Sequence, residues 1–261
     1  MSLYEVTLDG VIDKEKIAIQ RIKEHEPDEG YYVAFSGGKD SIVTYDLVKR
    51  ANVKYDIHFS MTTVDPPEVL KFIKEHYPEV EWHHPKRSMF KIIKEKRMVP
   101  TRMYRFCCHE LKEIGGVGRT VIVGVRREES AKRANRPVYH ESTRQKGKMF
   151  LNPIVDWTAK EVWEYIHKYN LPYPSLYDEG YTRVGCIMCP LQGTKGMLKD
   201  KERYPKYYNA YLHTIEKMLK IKEERGEDLK QGKTAEEFMN WWIYGSSSGS
   251  KNKRKVEHTW W

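Results

Sequence analysis

The chain has 261 residues, of which 32% are charged and 39% are hydrophobic, and its formal net charge is +9. A chain of this length can bury a sizeable core, and one large domain with a small appendage is the natural expectation. Because we find no run of about 18 apolar residues and no apolar stretch typical of a signal peptide, we expect a soluble protein without a membrane partner. The positive charge favours acidic partners, which means nucleotides or nucleic acid.

The first half of the chain alternates predicted strands and helices. Isoleucines at helical spacing predict an amphipathic helix over 11–26, within an N-terminal segment of residues 1–30. Apolar, β-prone runs predict strands at 31–35, 55–61, 80–83 and 120–125, and the patterns between them predict helices at 42–50, 66–76 and 88–96. Alternation of this kind implies parallel βαβ units, so we predict an α/β fold with a doubly wound, mainly parallel sheet.

The pattern changes after residue 152. Asp156 or Thr158 is placed to cap a helix that ends before Pro172. We therefore expect a nucleotide-binding and cluster domain over 31–200, followed by a small C-terminal helical extension over 201–245. Residues 246–261 form a predicted flexible basic tail, which is either a solvated end or a contact for nucleic acid.

A glycine-rich loop, which we call the phosphate loop, joins the first strand of the alternating region to its helix. It consists of Ser36, Gly37, Gly38, Lys39, Asp40 and Ser41. The glycines let backbone N–H groups approach an anion, and the helix N-terminus adds partial positive charge. Lys39 supplies a full charge and the serines supply hydroxyl donors, so the loop is typical of phosphate binding. Its spacing differs from that of the Walker loop.

The four cysteines fall in two pairs, and we call them the cysteine set. They are Cys107, Cys108, Cys186 and Cys189. Adjacent cysteines cannot easily bridge each other, and Cys-x-x-Cys is a metal-ligand spacing. Four thiolates suit either a [4Fe–4S] cluster or zinc, and the spacing does not decide between them. This use of cysteine points to a reducing, cytoplasmic compartment.

Several segments, in their order along the chain, resemble the phosphoadenylyl-sulfate (PAPS) and adenylyl-sulfate (APS) reductase family of the PP-loop, adenine nucleotide α-hydrolase-like superfamily. Two of the segments are the phosphate loop and the cysteine set. The other three are Thr62 to Glu68, then Gly124 to Ser130 with Arg133, and finally the stretch from Asn152-Pro153 through Trp157 and Trp163 to Leu171-Pro172-Tyr173. The resemblance covers roughly residues 31 to 195 and implies binding of ATP or another adenine nucleotide. It also implies a [4Fe–4S] cluster rather than zinc on the four cysteines.

The resemblance also suggests roles for individual residues. The expected nucleotide-binding residues are Ser36, Gly37, Gly38, Lys39, Asp40, Ser41, Thr62, Gly124 and Arg126. The expected catalytic residues are Lys39, Asp40, Arg126 and Arg127. In this interpretation Asp40 holds Mg²⁺ or fixes the loop. The two arginines clamp phosphate or sulfate, unless one of them pairs with Glu128 or Glu129.

Two departures from the family bear on function. The reductases resembled here carry a nucleophilic cysteine in Glu-Cys-Gly-Leu-His near the C-terminus, whereas this sequence has no cysteine after Cys189. Pro190-Leu191-Gln192 also replaces the Thr-Arg typical of APS reductases. Sulfonucleotide reduction needs a thiolate that attacks sulfur, and a thiolate bound to iron is not free to do so.

Three functions therefore remain open. The first, which we prefer, is an ATP pyrophosphatase that adenylates an acceptor for sulfur transfer, as in tRNA thiolation or DNA phosphorothioation, beside a cysteine desulfurase or another sulfur or thiol donor. The second is a PAPS or APS reductase that receives its thiol from another protein. The third is a subunit that binds nucleotide and cluster without catalysis. The positive charge, the basic tail and the missing nucleophile favour the first.

Overall fold

The computed structural model describes residues 2–7 and 10–245. Within them, a six-stranded sheet forms the centre of the protein. A separate hairpin precedes it. The strands are β1 (Tyr4–Thr7), β2 (Gly10–Asp13), β3 (Tyr31–Ala34), β4 (Tyr55–Ser60), β5 (Glu81–His83), β6 (Thr120–Ile122), β7 (Tyr139–Glu141) and β8 (Met149–Leu151). The sheet order is β5-β4-β3-β6-β8-β7, and all neighbours pair in parallel except the antiparallel edge pair β7 and β8.

Helices connect these strands and follow the last of them. They are α1 (Lys14–Glu24), α2 (Lys39–Ala51), α3 (Pro67–His76), α4 (Met89–Lys96), α5 (Phe106–Leu111), α6 (Ala159–Lys168), α7 (Gly193–Arg203), α8 (Pro205–Glu224) and α9 (Ala235–Tyr244). Helices α1 and α6 both pack on α2, while α4, α7 and α9 pack on α8. Within the described residues, none of these helices is long and apolar enough to cross a membrane.

The buried apolar side chains form two cores. The first combines the sheet with α1, α2, α3 and α6. The second is built by α4, α5 and α7–α9, and it includes Ile187 and Met188, with Cys107 and Cys186 packed against it. The two cysteine pairs therefore lie against the C-terminal helices, which complete the surroundings of the cysteine set.

The predicted α/β fold with a mainly parallel sheet is confirmed by the strand order and directions. The helix predicted to begin at residue 11 was wrong at its start, because β2 extends to Asp13 and the Asp13 side chain caps α1 by accepting from the Lys16 N–H. Strand β6 ends at Ile122, three residues earlier than predicted. The predicted basic tail at 246–261, with its nucleic-acid contact, lies outside the described residues.

Candidate nucleotide and metal site

The phosphate loop turns from β3 into α2 as the sequence predicts. Gly37 has a φ of +71°, a conformation that favours glycine. A Cβ atom on Gly37 would lie 2.9 Å from Ile73 Cδ1 on α3, so space as well as conformation selects glycine there. Gly38 is extended and precedes the first residue of α2. The loop thus passes tightly over α3 and directs the N-terminus of α2 toward the carboxyl ends of the strands.

The two serines of the loop hold it in this shape. The Ser41 hydroxyl donates to the Gly38 carbonyl oxygen at 2.8 Å and accepts from the Ser36 N–H at 3.2 Å. The two hydroxyl oxygens are 3.1 Å apart. These bonds within the loop fix its backbone before any ligand arrives, which lowers the entropy cost of binding an anion.

Asp40 is the centre of a group of charges that includes two buried cations. Its Oδ2 lies 2.9 Å from Lys39 Nζ, and its Oδ1 lies 2.6 Å from Arg126 Nε. Arg126 Nη1 lies 2.5 Å from Glu128 Oε2, and Lys39 and Arg126 are each only 5% exposed. Burial alone would lower the pKa of Arg126, but the nearby Asp40 carboxylate raises it. Asp40 therefore ties the helix start to the loop after β6, and Arg126 is the arginine that pairs with Glu128.

Gly124 allows this close approach. A Cβ atom there would lie 2.6 Å from the Asp40 backbone oxygen and 3.0 Å from Thr44 Oγ1. Arg127, in contrast, is exposed and donates from Nε to the Arg136 carbonyl oxygen at 3.0 Å. Two arginines were expected to clamp a phosphate. The structure places Arg126 at the phosphate loop, whereas Arg127 takes no part in the ion pairs around Asp40.

Tyr177 also contacts the phosphate loop, and sequence reasoning missed it. Its hydroxyl accepts from the Lys39 backbone N–H at 3.0 Å, and its ring lies 5.9 Å from Lys39 Nζ. Burial raises the pKa of Tyr177, so it remains a neutral phenol. Lys39 N–H is one of the donors at the start of α2, so a phosphate that needs this donor has to displace Tyr177.

The Cys186–Cys189 segment is a tight turn that buried polar groups hold together. Met188 adopts a φ of +60°, which is uncommon for a residue other than glycine. Its N–H donates to Asp200 Oδ2 at 2.7 Å, and the Gln192 amide donates to the same oxygen at 2.7 Å and to the Cys186 carbonyl at 3.1 Å. Asp200 is 2% exposed, so these bonds are made out of contact with water. Gln192 therefore braces the turn between the two cysteines.

The four thiols influence one another electrostatically. A hydrogen bond from Cys107 lowers the pKa of Cys108 to about 6, and Lys112 and Arg105 contribute in the same direction. Burial, followed by the charge of Cys186, raises the pKa of Cys189 to about 11. The Cys186 thiolate raises the pKa of Lys112, which is exposed but close to the cysteines.

The chemistry of this donor set suits a metal group bound by thiolates, although among the described residues no three of the four sulfur atoms lie within 4.8 Å of one another. All four thiols are half-buried and free of disulfides, and both pairs lie near the same ammonium group. Anionic sulfur is the ligand that both iron–sulfur clusters and structural zinc require. No motif in the sequence singles out Lys112, which is the C-cap residue of α5 and follows Cys108 by one helical turn.

The cysteine set and the expected nucleotide residues meet at the carboxyl end of β4. Cys186 Sγ lies 3.4 Å from Thr62 Oγ1, and the Thr62 N–H donates to Asp65 Oδ2 at 2.6 Å. Burial raises the pKa of both Cys189 and Tyr177, and the positive charge of Arg183 partly offsets this effect on each. Thr62 thus contacts the cysteine set, Tyr177 contacts the phosphate loop, and Arg183 lies close enough to both regions to act electrostatically on Cys189 and Tyr177.

Residues 30–192 match the family model described as the phosphoadenosine phosphosulfate reductase domain. The chain is 32% identical over 228 residues to an uncharacterized protein of Methanocaldococcus jannaschii, covering 79% of this chain and 46% of that protein. It is 30% identical over 169 residues to the adenosine 5'-phosphosulfate reductase of Staphylococcus haemolyticus, covering 59% of this chain and 68% of that enzyme.

The chain therefore spans about half the length of the archaeal relative. Among solved structures it is similar to the phosphoadenylyl-sulfate reductase from Candida auris in its phosphate complex, with a TM-score of 0.49 and 18% identity, over 66% of this chain and 87% of that one.

Proposed function

The chain belongs to the phosphoadenosine phosphosulfate reductase domain family, and we propose that it is a PP-loop enzyme that activates an acceptor with ATP for sulfur transfer. The observation that supports the proposal is the 3.4 Å approach of Cys186 Sγ to the hydroxyl of Thr62, an expected nucleotide-binding residue, while Arg183 acts electrostatically on both Cys189 and Tyr177. This proximity supports a single site for nucleotide chemistry and sulfur chemistry.

In the proposed reaction an acceptor oxygen attacks the α-phosphorus of ATP, and the bond to the bridging oxygen breaks to release pyrophosphate. The amides of Gly37 and Gly38 and the Lys39 ammonium hold the pyrophosphate as its charge grows, while the two serines keep the loop in shape. Asp40 has both carboxylate oxygens in ion pairs, so fixing the loop suits it better than binding Mg²⁺. We therefore propose that Mg²⁺ enters with the nucleotide, bound mainly by phosphate and water.

We assign the metal role to the cysteine set. Cys107, Cys108, Cys186 and Cys189 would hold a [4Fe–4S] cluster, which supplies redox chemistry and a surface for sulfur transfer beside the activated acceptor. Lys112 and Arg105 place positive charge next to the thiolates and offset the negative charge of such a group. Zinc remains the alternative occupant of four thiolates.

The proposal includes an acceptor and a sulfur donor. The net charge of +9 supports an acidic acceptor, and we propose nucleic acid, with tRNA thiolation or DNA phosphorothioation as the reaction class. All four cysteines are assigned to metal, so we propose that sulfur comes from a cysteine desulfurase or another external donor.

Reduction of a sulfonucleotide is the second candidate function. Relatives at about 30% identity are adenosine 5'-phosphosulfate reductases, which supports reduction of an adenylyl sulfate in the same site. Such a reaction needs a thiolate to attack sulfur and expel the nucleotide. Within these 261 residues no cysteine remains outside the proposed metal site, so the attacking thiol would come from another protein.

The test is anaerobic turnover of labelled ATP with Mg²⁺, compared with APS and PAPS in the presence of a dithiol donor. We expect AMP and pyrophosphate from ATP, lost in Lys39→Ala and retained in Lys49→Ala, an exposed lysine at the other end of α2. Sulfite from APS or PAPS without ATP cleavage would establish the reductase instead. Nucleotide binding without either reaction would leave a binding subunit.

A further inference from the structure

A cluster of histidine and carboxylate side chains lies on the sheet apart from the residues discussed so far. His58 on β4 is paired in register with Glu81 on β5, and His83 lies two residues further along β5. Asp56 precedes His58 by two residues and is in register with Tyr32 on β3. Because side chains two apart in a strand point to the same side, all five face the same surface of the sheet.

The potential ligand atoms of His58, Glu81 and His83, which we call the His–Glu cluster, all lie within 4.8 Å of one another. His58 Nδ1 is 2.8 Å from His83 Nε2 and 3.5 Å from a Glu81 carboxylate oxygen, and His83 Nε2 is 3.8 Å from the other Glu81 oxygen. In a tetrahedral zinc site with two imidazoles and a carboxylate, ligand atoms are about 3.3 Å apart. The three observed distances span that value.

The surroundings of His58 prepare Nδ1 to bind a cation. The other ring nitrogen, Nε2, contacts Asp56, which in turn forms two bonds with Arg119. A carboxylate held by Arg119 accepts hydrogen bonds, so it favours the neutral tautomer of His58 with the proton on Nε2, which presents a lone pair at Nδ1. Metal-binding histidines are oriented in this way by a carboxylate on the second ring nitrogen. Tyr32 stacks on the His58 ring at 3.9 Å and keeps its plane fixed.

A hydrogen bond between the two imidazoles would explain only part of this arrangement. His83 Nε2–H can donate to His58 Nδ1, but the Glu81 carboxylate then faces that same lone pair without a proton between them. A divalent cation satisfies all three electron-pair donors at once. We propose that His58, Glu81 and His83 bind a zinc-class divalent metal ion, with Asp56 as the positioning residue of His58.

The degree of exposure suits a site with three protein ligands. His58 is 7% exposed, while the side chains of His83 and Glu81 are 36% and 65% exposed. The buried ligand fixes the geometry, and the exposed ones leave an entry path and a fourth position for water. Strand β5 is an edge of the sheet, so a shared metal would fasten this short strand to β4.

The experiment is a titration of the full chain with zinc and with cobalt(II), after its cysteines have been loaded with iron. We expect one further zinc per chain, bound without the intense thiolate-to-cobalt charge-transfer band that cysteine ligands produce. Glu81→Gln and His83→Asn should each weaken binding about tenfold or more, and Asp56→Asn should weaken it about 10-fold to 100-fold.

His84→Asn is the matched control, because His84 is the exposed neighbour of His83 and lies outside the cluster. Glu81 is mostly exposed, so its substitution tests the site with little risk to folding. Zinc should also raise the Tm of the wild type and of His84→Asn but not that of Glu81→Gln. Equal zinc affinity in all variants, no binding beyond the cysteines, or cobalt that appears only with thiolate absorption would each overturn the proposal.

Discussion

Replacement of Gly124 by alanine tests the link between the phosphate loop and the loop after β6. The new Cβ atom would meet the Asp40 backbone oxygen at 2.6 Å, where an ordinary contact needs about 3.4 Å. That oxygen already accepts from Thr44 at 2.8 Å, and α2 is buried over most of its length, so the helix cannot retreat. We expect the loop after β6 to move outward by about 0.8 Å instead.

The displacement has a cost in stability and a cost in binding. It would lengthen the 2.6 Å bond between Arg126 Nε and Asp40 to about 3.4 Å, beyond the usual range of a hydrogen bond. Overpacking costs about 1–3 kcal/mol, and weakening a charged bond adds to this, so we expect a loss of about 2 kcal/mol in the free energy of unfolding. Asp40, left with less positive charge beside it, would repel an incoming phosphate, and we expect about tenfold weaker nucleotide binding.

The assay combines urea unfolding with calorimetric titration of ATP and of APS. Gly185→Ala is the matched control, because a Cβ atom on Gly185 has no neighbour within 4 Å and its φ does not require glycine. The control should unfold and bind nucleotide like the wild type. If Gly124→Ala behaved like Gly185→Ala in both measurements, the proposed coupling of Asp40 and Arg126 to phosphate binding would be refuted.

Three further predictions concern the cysteine turn and one ion pair. Cys186→Ser should lose most of the iron or zinc measured by elemental analysis after anaerobic purification, and wild-type metal content would contradict the four-thiolate site. Asp200→Ala should reduce the free energy of unfolding in urea by about 2–3 kcal/mol, because it leaves the buried Met188 N–H without an acceptor. Asp200→Asn should reduce it by less, since the asparagine side chain keeps an acceptor oxygen. Burial would raise the pKa of Asp156, but its two bonds with Arg21 lower it overall. The two bonds between Asp156 and Arg21 should stabilise the folded state by about 1 kcal/mol above pH 3.8, and this contribution should disappear as the pH falls through the lowered pKa. When the free energy of unfolding is measured against pH, Asp156→Asn should not show this trend.

Local signals in the sequence predicted the elements that depend on local interactions. The turn from β3 into α2 follows from glycines and a helix start that lie next to each other in the chain. Thr158 caps α6 reciprocally with Glu161, as the spacing indicates. The hairpin of β1 and β2 and the strand β7 were not predicted, because their residues are mixed polar and apolar and form no continuous apolar, β-branched run like that of β6.

The parts of the site that sequence reasoning missed depend on contacts between distant segments. Tyr177 reaches the Lys39 N–H across 138 positions of the chain, and no pattern around either residue indicates that pairing. His58 and His83 are 25 positions apart and become neighbours only because β4 and β5 lie side by side. The candidate metal site can therefore be found only when the order of the strands in the sheet is known.

The turn between Cys186 and Cys189 bears on the choice between the two proposed functions. Gln192 occupies the segment where the APS reductases resembled here have Thr-Arg, and its amide is committed to the Cys186 carbonyl and to Asp200. Positive charge near the thiols comes instead from Lys112 and Arg183. Either cation suits a phosphate as well as a sulfate, so these two charges do not distinguish ATP from a sulfonucleotide. What separates them is the attacking group, because reduction requires a thiol in addition to the cysteine set, whereas adenylation requires only an acceptor oxygen. The dependence of turnover on an added dithiol is accordingly the most direct measure of which reaction this site performs.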